Sequence, residues 1–196
     1  MKKLLIFFAL IALITARAWA QLPAKAEDVK PLLIGQKVPS VQLKDSKGQT
    51  VDTKEVLKQK TILVVYRGGW CPYCTKQLAG LREVQKEALA LGYQIVGVSP
   101  DSPENLTQAT TKNELGYTLL SDGQGLLIKA LGLAFQVPKN YEPLVDKSSN
   151  GVNKEFLPVP AVYVLNEQQE VEFMFVNPDF KKRLQPNMLL AVLKAI

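Results

Sequence analysis

The hydrophobic positions change period along the chain. Thr61-Ile62-Leu63-Val64-Val65-Tyr66 is a continuous β-branched and apolar run closed by Gly68 and Gly69. Such a run, bounded by glycine, predicts a strand buried on both faces. Immediately afterwards Leu78, Leu81 and Val84 recur at helical spacing, with Lys76, Arg82 and Glu83 between them, and Gly92 supplies a terminator. Tyr93 to Ser99 predicts a second buried strand. Ser102, Pro103 and Glu104 then carry a helix start: a capping hydroxyl, a proline whose missing N–H costs nothing there, and an acid at the positive end of the dipole. Tyr117 to Leu120 predicts a third strand and Gly125 to Leu131 a short apolar helix. Ala161 to Leu165 and Val171 to Val176 read as strands paired across a turn at Asn166 to Glu170, and Asn187 to Ala195 as a closing helix behind Pro186.

Upstream, Val41 and Leu43 alternate before Asp45-Ser46-Lys47-Gly48 and Val51, which predicts a hairpin turning at Lys47-Gly48. Glu55 to Lys60 is a connector of about one helical turn. Residues 21–32 open on a polar, alanine-rich stretch and read as a flexible arm. Phe135 to Leu157 contains Pro138, Pro143 and Ser148-Ser149-Asn150-Gly151, and reads as a long irregular loop, either a functional flap or a disordered insert. The order βαβα, hairpin, helix predicts an α/β fold over 33–196: a central mixed β-sheet flanked by helices, with an N-terminal β-hairpin extension.

Composition narrows the function classes. A chain of 196 residues with 47% hydrophobic content fits one domain with a sizeable core. Met1 to Ala20 has the layout of a secretory signal: Lys2 and Lys3 first, the apolar stretch Leu4 to Thr15, then Ala18-Trp19-Ala20 as a small-x-small cleavage site. The expectation is export, to a periplasm, with cleavage after Ala20 and no stable membrane insertion afterwards. The rival is an uncleaved anchor, but the apolar run is short for a span and Arg17 interrupts its end. The net charge of +6 halves when Lys2, Lys3 and Arg17 leave with the leader, and no basic run remains, so no nucleic acid partner is expected. Histidine is absent, which removes a Cys–His dyad and most transition-metal sites.

The only two cysteines, Cys71 and Cys74, stand where the first buried strand turns into a helix. Pro72 suits the first helical position. Residues three apart share a helix face, so the sulfurs can meet, and free N–H groups with the dipole at the first turn stabilise a thiolate. A structural disulfide here would close a tiny loop with little entropic return. A structural zinc needs four protein ligands, and a c-type haem needs histidine where Thr75 stands. Two buried, inert thiols fit poorly with proline between them at a helix start. Redox chemistry is the reading that remains, with no metal and no cofactor expected.

Four pieces carry a resemblance: Val65-Tyr66-Arg67-Gly68-Gly69-Trp70-Cys71-Pro72-Tyr73-Cys74, Val98-Ser99-Pro100-Asp101, Leu157-Pro158-Val159-Pro160-Ala161-Val162-Tyr163-Val164, and Asn177-Pro178-Asp179-Phe180. In this order they resemble the thioredoxin fold and, within it, the peroxiredoxin-like redoxins grouped as alkyl hydroperoxide reductase/thiol-specific antioxidant. The resemblance runs from about Leu33 to the C-terminus. It implies that Cys71 and Cys74 are catalytic, that Pro160 takes the cis-proline position beside them, that Trp70 shields the sulfurs and that Arg67 favours a thiolate. It implies a peroxide substrate and a thioredoxin-like protein reductant.

The departures matter equally. The family carries Thr or Ser three residues before its peroxide-attacking cysteine. Here Cys71 stands there if Cys74 attacks, and Gly68 if Cys71 attacks. No arginine lies in the Ala161 to Val176 hairpin, where the family's second activating arginine would be sought, and Lys181-Lys182-Arg183 reads as a solvated basic turn. The Cys-Pro-Tyr-Cys tetrad itself resembles glutaredoxins. The expected function is an exported thiol peroxidase for hydrogen peroxide or alkyl hydroperoxides. Thiol–disulfide exchange on proteins is the alternative, and a non-catalytic exported binding domain the second.

Overall fold

A computed structural model describes residues 21–196, so the leader-like segment lies outside the described residues. In chain order the elements are β1 (Gln42–Asp45), β2 (Thr50–Asp52), α1 (Thr53–Val56), β3 (Thr61–Val65), α2 (Pro72–Ala90), β4 (Gln94–Ser99), α3 (Pro103–Asn113) and β5 (Thr118–Ser121). Then come α4 (Leu126–Ala130), β6 (Ala134–Gln136), α5 (Glu142–Ser148), β7 (Phe156–Pro158), β8 (Ala161–Leu165), β9 (Val171–Val176) and α6 (Pro186–Ala195).

Seven strands form one mixed sheet in the order β2-β1-β5-β4-β3-β8-β9. The centre is parallel, β3 with β4 and β4 with β5, while β1 and β8 pair antiparallel on either side. The N-terminal hairpin thus extends the sheet at one edge and the β8–β9 hairpin at the other. Because successive strand side chains alternate faces, the apolar run of β3 serves two cores. Leu63 and Val65 join Val96, Val98 and Tyr163 under α4. Ile62 and Val64 face the opposite layer, with Leu81, Val84 and Ala88 of α2 and Leu189, Leu190 and Leu193 of α6. All five β3 residues are buried, as a strand covered on both sides requires.

Local chemistry sets the helix starts. Ser102 Oγ accepts from the Asn105 N–H and Pro103 opens α3. The five-residue α4 is too short to persist alone. The buried Asp122 carboxylate holds it by accepting from the N–H groups of Leu126 (2.6 Å), Leu127 (3.0 Å) and Ile128 (2.8 Å). Among the described residues no helix is long and apolar enough to cross a membrane.

Three expectations change. The 135–157 segment is neither an irregular loop nor a disordered insert. It contains β6, α5 and β7, with β6 and β7 paired antiparallel, and Val145 and Phe156 buried. Asn153 organises its return: its side chain donates to the Phe156 carbonyl (2.9 Å) and accepts from the N–H groups of Glu155 and Phe156. The 21–32 arm is docked, because its scattered apolar residues have a place to go. Leu22, Ala26, Val29 and Leu32 pack on the core beneath α4, and the Gln136 N–H donates to the Pro23 carbonyl (2.8 Å). Finally, the Val159–Pro160 bond is trans, like every peptide bond among the described residues. The chain runs extended from β7 into β8, so nothing there calls for a turn, and trans is the isomer that X–Pro prefers.

The docking of the arm depends on Gly132. Its φ is +67°, and a β-carbon there would collide with the Lys30 carbonyl, where Leu32 N–H bonds the Leu131 carbonyl (3.0 Å). Gly132→Ala is expected to lift the arm and cost about 1–3 kcal/mol. Hydrogen exchange should quicken at Leu32 and Gln136, the amides that bond across the arm contact, while β3 and β4 stay protected. Unchanged exchange at both amides would mean that the contact tolerates a side chain.

Candidate active site

The loop between β3 and α2 is built to bring backbone close to side chains. Tyr66 N–H still bonds the Val98 carbonyl of β4 (3.0 Å), after which the chain breaks from the sheet. Gly68 adopts φ +142°, and a β-carbon on it would strike the Trp70 indole nitrogen and lie 2.8 Å from Asp101 Oδ1. Only glycine fits that position. Asp101 reaches over from the end of β4. Its Oδ2 accepts from the Gly69 N–H (2.8 Å) and from Ser99 Oγ (3.0 Å), clamping the loop. Asp101 is 1% exposed, and burial raises its pKa to about 6 against the pull of those bonds.

Cys71 caps α2 in extended conformation and Pro72 occupies the first turn. The Cys74 and Thr75 N–H groups both bond the Cys71 carbonyl, at 3.0 and 3.1 Å. Both cysteines are free and buried, Cys71 at 1% and Cys74 at 0% exposure. Their environments pull them apart. The hydrogen bond from the Cys74 thiol lowers the Cys71 pKa most, the Cys74 N–H and the charges of Arg67 and Arg183 add to it, and together they overcome burial to bring it to about 5. Burial pushes the Cys74 thiol well up, and the hydrogen bond it donates to Cys71 pushes it further. The pair therefore holds one proton and one negative charge, with the charge on Cys71.

Two arginines face that charge. Arg67, 4% exposed, sets Nη1 4.0 Å from Cys71 Sγ. Its guanidinium is boxed by the rings of Phe180 (4.2 Å), Tyr141 (4.4 Å) and Trp70 (5.1 Å). Arg183 donates from Nη2 to Cys74 Sγ (3.4 Å), from Nη1 to Gln77 Oε1 (2.9 Å) and from Nε to the Phe180 carbonyl (2.8 Å).

The predicted residues thus fall into two groups. Cys71, Cys74, Arg67 and Trp70 converge, with Trp70 packed against the cluster that contains both sulfurs. Pro160 is buried at the entry to β8, where the pairing of Val65 with Ala161 sets it alongside the end of β3, without the cis bond. Arg183 corrects the expectation of a solvated turn. Lys181 and Lys182 are exposed, but the Arg183 side chain turns inward, and the second arginine comes from beyond the β8–β9 hairpin rather than from within it. Tyr141, Phe180 and Asp101 were also not singled out. Asp101 and Phe180 are visible in the sequence only as parts of motifs, and nothing in the periodicity of 135–157 or 177–183 points to the sulfurs. Among the described residues no cluster of three or more His, Cys, Asp or Glu side chains could hold a metal ion.

Comparison with known proteins matches this arrangement to one family. The AhpC/TSA family model covers residues 34–174. The putative peroxiredoxin bcp of Haemophilus influenzae is 32% identical over 105 residues, 54% of this chain and 68% of that protein. Peroxiredoxin Bcp of Escherichia coli is 26% identical over 166 residues, 85% of this chain and 98% of that protein. The structure of peroxidoxin BcpB from Mycobacterium tuberculosis superposes with a TM-score of 0.67 at 21% identity, covering 83% of this chain and 97% of that one. Peroxiredoxin Q from Xanthomonas campestris gives 0.63 at 20% identity, covering 89% and 95%. These two likenesses establish the shared fold. With the family model spanning most of the length and the sheet order in place, the chain belongs to the AhpC/TSA family of peroxiredoxin-like redoxins, with the thioredoxin fold.

Proposed function

We propose that this peroxiredoxin-type oxidoreductase reduces hydrogen peroxide or an alkyl hydroperoxide through Cys71 and Cys74. The observation that carries the reading is the placement of Cys71 beside the Cys74 thiol with Arg67 and Arg183 facing the two sulfurs, an arrangement that lowers the Cys71 pKa. The Cys71 thiolate attacks one peroxide oxygen. The O–O bond breaks, Cys71 becomes a sulfenic acid, and the departing oxide takes a proton to leave as water or alcohol. Arg67 and Arg183 bring charged donors to the two sulfurs, Nη1 4.0 Å from Cys71 Sγ and Nη2 3.4 Å from Cys74 Sγ, and are the groups that would stabilise the charge on the departing oxide in place of the missing Thr or Ser hydroxyl. Cys74 then condenses with the sulfenic acid, releasing water and forming the Cys71–Cys74 disulfide. A partner dithiol of thioredoxin type restores both thiols by exchange, its own sulfurs ending as a disulfide. The charged start, apolar stretch and Ala18-Trp19-Ala20 support export with cleavage after Ala20. The second reading, exchange with protein disulfides, is favoured by the same low-pKa cysteine preceding a shielded partner.

Stopped-flow mixing of reduced protein with hydrogen peroxide should give a rate far above that of free cysteine, ending in the Cys71–Cys74 disulfide. A rate no better than free cysteine, with rapid reduction of a model protein disulfide, would select the exchange reading. Dithiols that fail to cycle at all would leave only a binding domain.

Because reactivity needs the thiolate, alkylation of the Cys74→Ser variant, whose hydroxyl can still donate to Cys71, should rise with pH through about 5 and be level by neutrality. The Cys71→Ser variant should react only at much higher pH. The reverse order would transfer the attacking role to Cys74.

Arg183→Gln should move the Cys71 alkylation midpoint upward and slow peroxide reduction on the order of a hundredfold, the loss typical of one transition-state donor. Arg183→Lys should recover the midpoint better than the rate, since lysine keeps the charge without the planar fork. Equal rates for all three proteins would leave Arg183 a structural brace.

A further inference from the structure

Beside the dithiol lies a cleft of about 440 Å³, entered over the first turn of α2 and walled by α3 and α5. The chemistry described above uses none of its interior. Two features give it a chemical sense. Asp101 Oδ1 and the Trp70 indole N–H both border the space left by Gly68, both are buried, and neither makes a hydrogen bond. The Ser148 hydroxyl, also in the cleft wall and near enough to Asp101 to pull its pKa down, donates to the Val145 carbonyl (3.3 Å) in this arrangement. A buried polar atom left unpaired costs free energy that a matching ligand recovers. An acceptor beside a donor is the complement of the N–H and C=O that one residue of an extended polypeptide presents along one edge. At the rim, Lys112 and Lys147 are exposed and have no ion pair among the described residues, while Leu144, 43% exposed, offers an apolar wall.

The geometry points to this cleft as the docking groove for an extended, acidic segment of the protein that exchanges thiols with Cys71. The backbone of that segment would pair with Asp101 and Trp70, and its carboxylates with Lys112 and Lys147. The groove is lined by Gly69, Trp70 and Thr75, which flank Cys71 and Cys74 in the chain, so a segment lying in it ends beside the loop that carries the dithiol. Two buried sulfurs need a partner held in register before exchange. The inference rests on the reading that this dithiol trades electrons with a protein thiol.

The test reads thiol exchange and does not require peroxide. The mature Cys74→Ser protein is mixed with two peptides, Ac-Glu-Ala-Cys-Ala-Glu-amide and Ac-Gln-Ala-Cys-Ala-Gln-amide, each carrying a 2-thiopyridyl disulfide on its cysteine. The Cys71 thiolate attacks the peptide sulfur, the mixed disulfide forms, and 2-thiopyridone leaves and is followed by absorbance. The acidic peptide should react about fivefold faster, as two exposed ion pairs allow, and the advantage should shrink with added salt. It should vanish in the Lys112→Gln/Lys147→Gln variant. Trp70→Phe, which keeps a ring and loses the N–H, should slow both peptides more than it slows 2,2′-dithiodipyridine, which has no backbone.

Equal rates for the two peptides in the parent protein would overturn the proposal. So would an acidic preference that survives loss of both lysines, which would trace it to Arg67 and Arg183, or a Trp70→Phe effect equally large on the small reagent. Failure of the unaltered chain to reduce peroxide would instead count against the peroxidase reading and leave the peptide preference to stand or fall by itself.

Discussion

A guanidinium with almost no exposure and no carboxylate among its described partners is costly unless an anion stands beside it. Arg67 is in that position, and its neighbouring anion is the sulfur of Cys71. The rest of the site follows from the need to keep this pair dry and in place. Trp70, Tyr141 and Phe180 close around the guanidinium from three separate segments, offering ring faces that attract a cation without competing for its charge. The β6–α5–β7 excursion carries Tyr141, and the turn after β9 carries Phe180 and Arg183. Both segments look incidental until the ring contacts are seen.

The sheet supplies the rigidity this arrangement needs. β3 is central and paired on both sides, so the point where its chain leaves the ladder is fixed. Asp101 springs from the end of neighbouring β4 and grips the same loop by the Gly69 N–H. Loop position is thus set by two adjacent parallel strands rather than by the loop itself. A ligand site at the carboxyl ends of parallel strands is the usual outcome of such sheets. The cysteine pair then lies at the first turn of α2, a helix whose apolar face is buried on the sheet and against α6.

Sequence patterning carried the scaffold well, because strands and helices declare themselves through short-range periodicity. The two faces of β3, the Ser102 cap and the hairpin turn at Gly48 were all readable from neighbours within a few residues. The dithiol was readable for the same reason. What stayed hidden depends on contacts between residues far apart in the chain. Arg183 reaches Cys74 across 109 positions, and nothing local separates it from the solvated Lys181 and Lys182 beside it. The docking of residues 21–32 was hidden because its apolar residues follow no single period. The trans bond at Pro160 departs from a feature that resemblance alone had implied.

If Cys71 and Cys74 cycle as proposed, the boxed guanidinium would tie the folding stability of the chain to its oxidation state. When Cys71 and Cys74 join, the thiolate disappears, but Arg67 stays always charged and almost wholly buried. A bridge between residues three apart removes little freedom from the unfolded chain, so it offers little in return. On the proposed chemistry an oxidised protein would hold a buried cation without its anion, and the reduced protein is expected to be the more stable form. Disulfides that staple small exported domains work in the opposite sense. Here it is the pair of free thiols, not the bond between them, that the fold is built to keep.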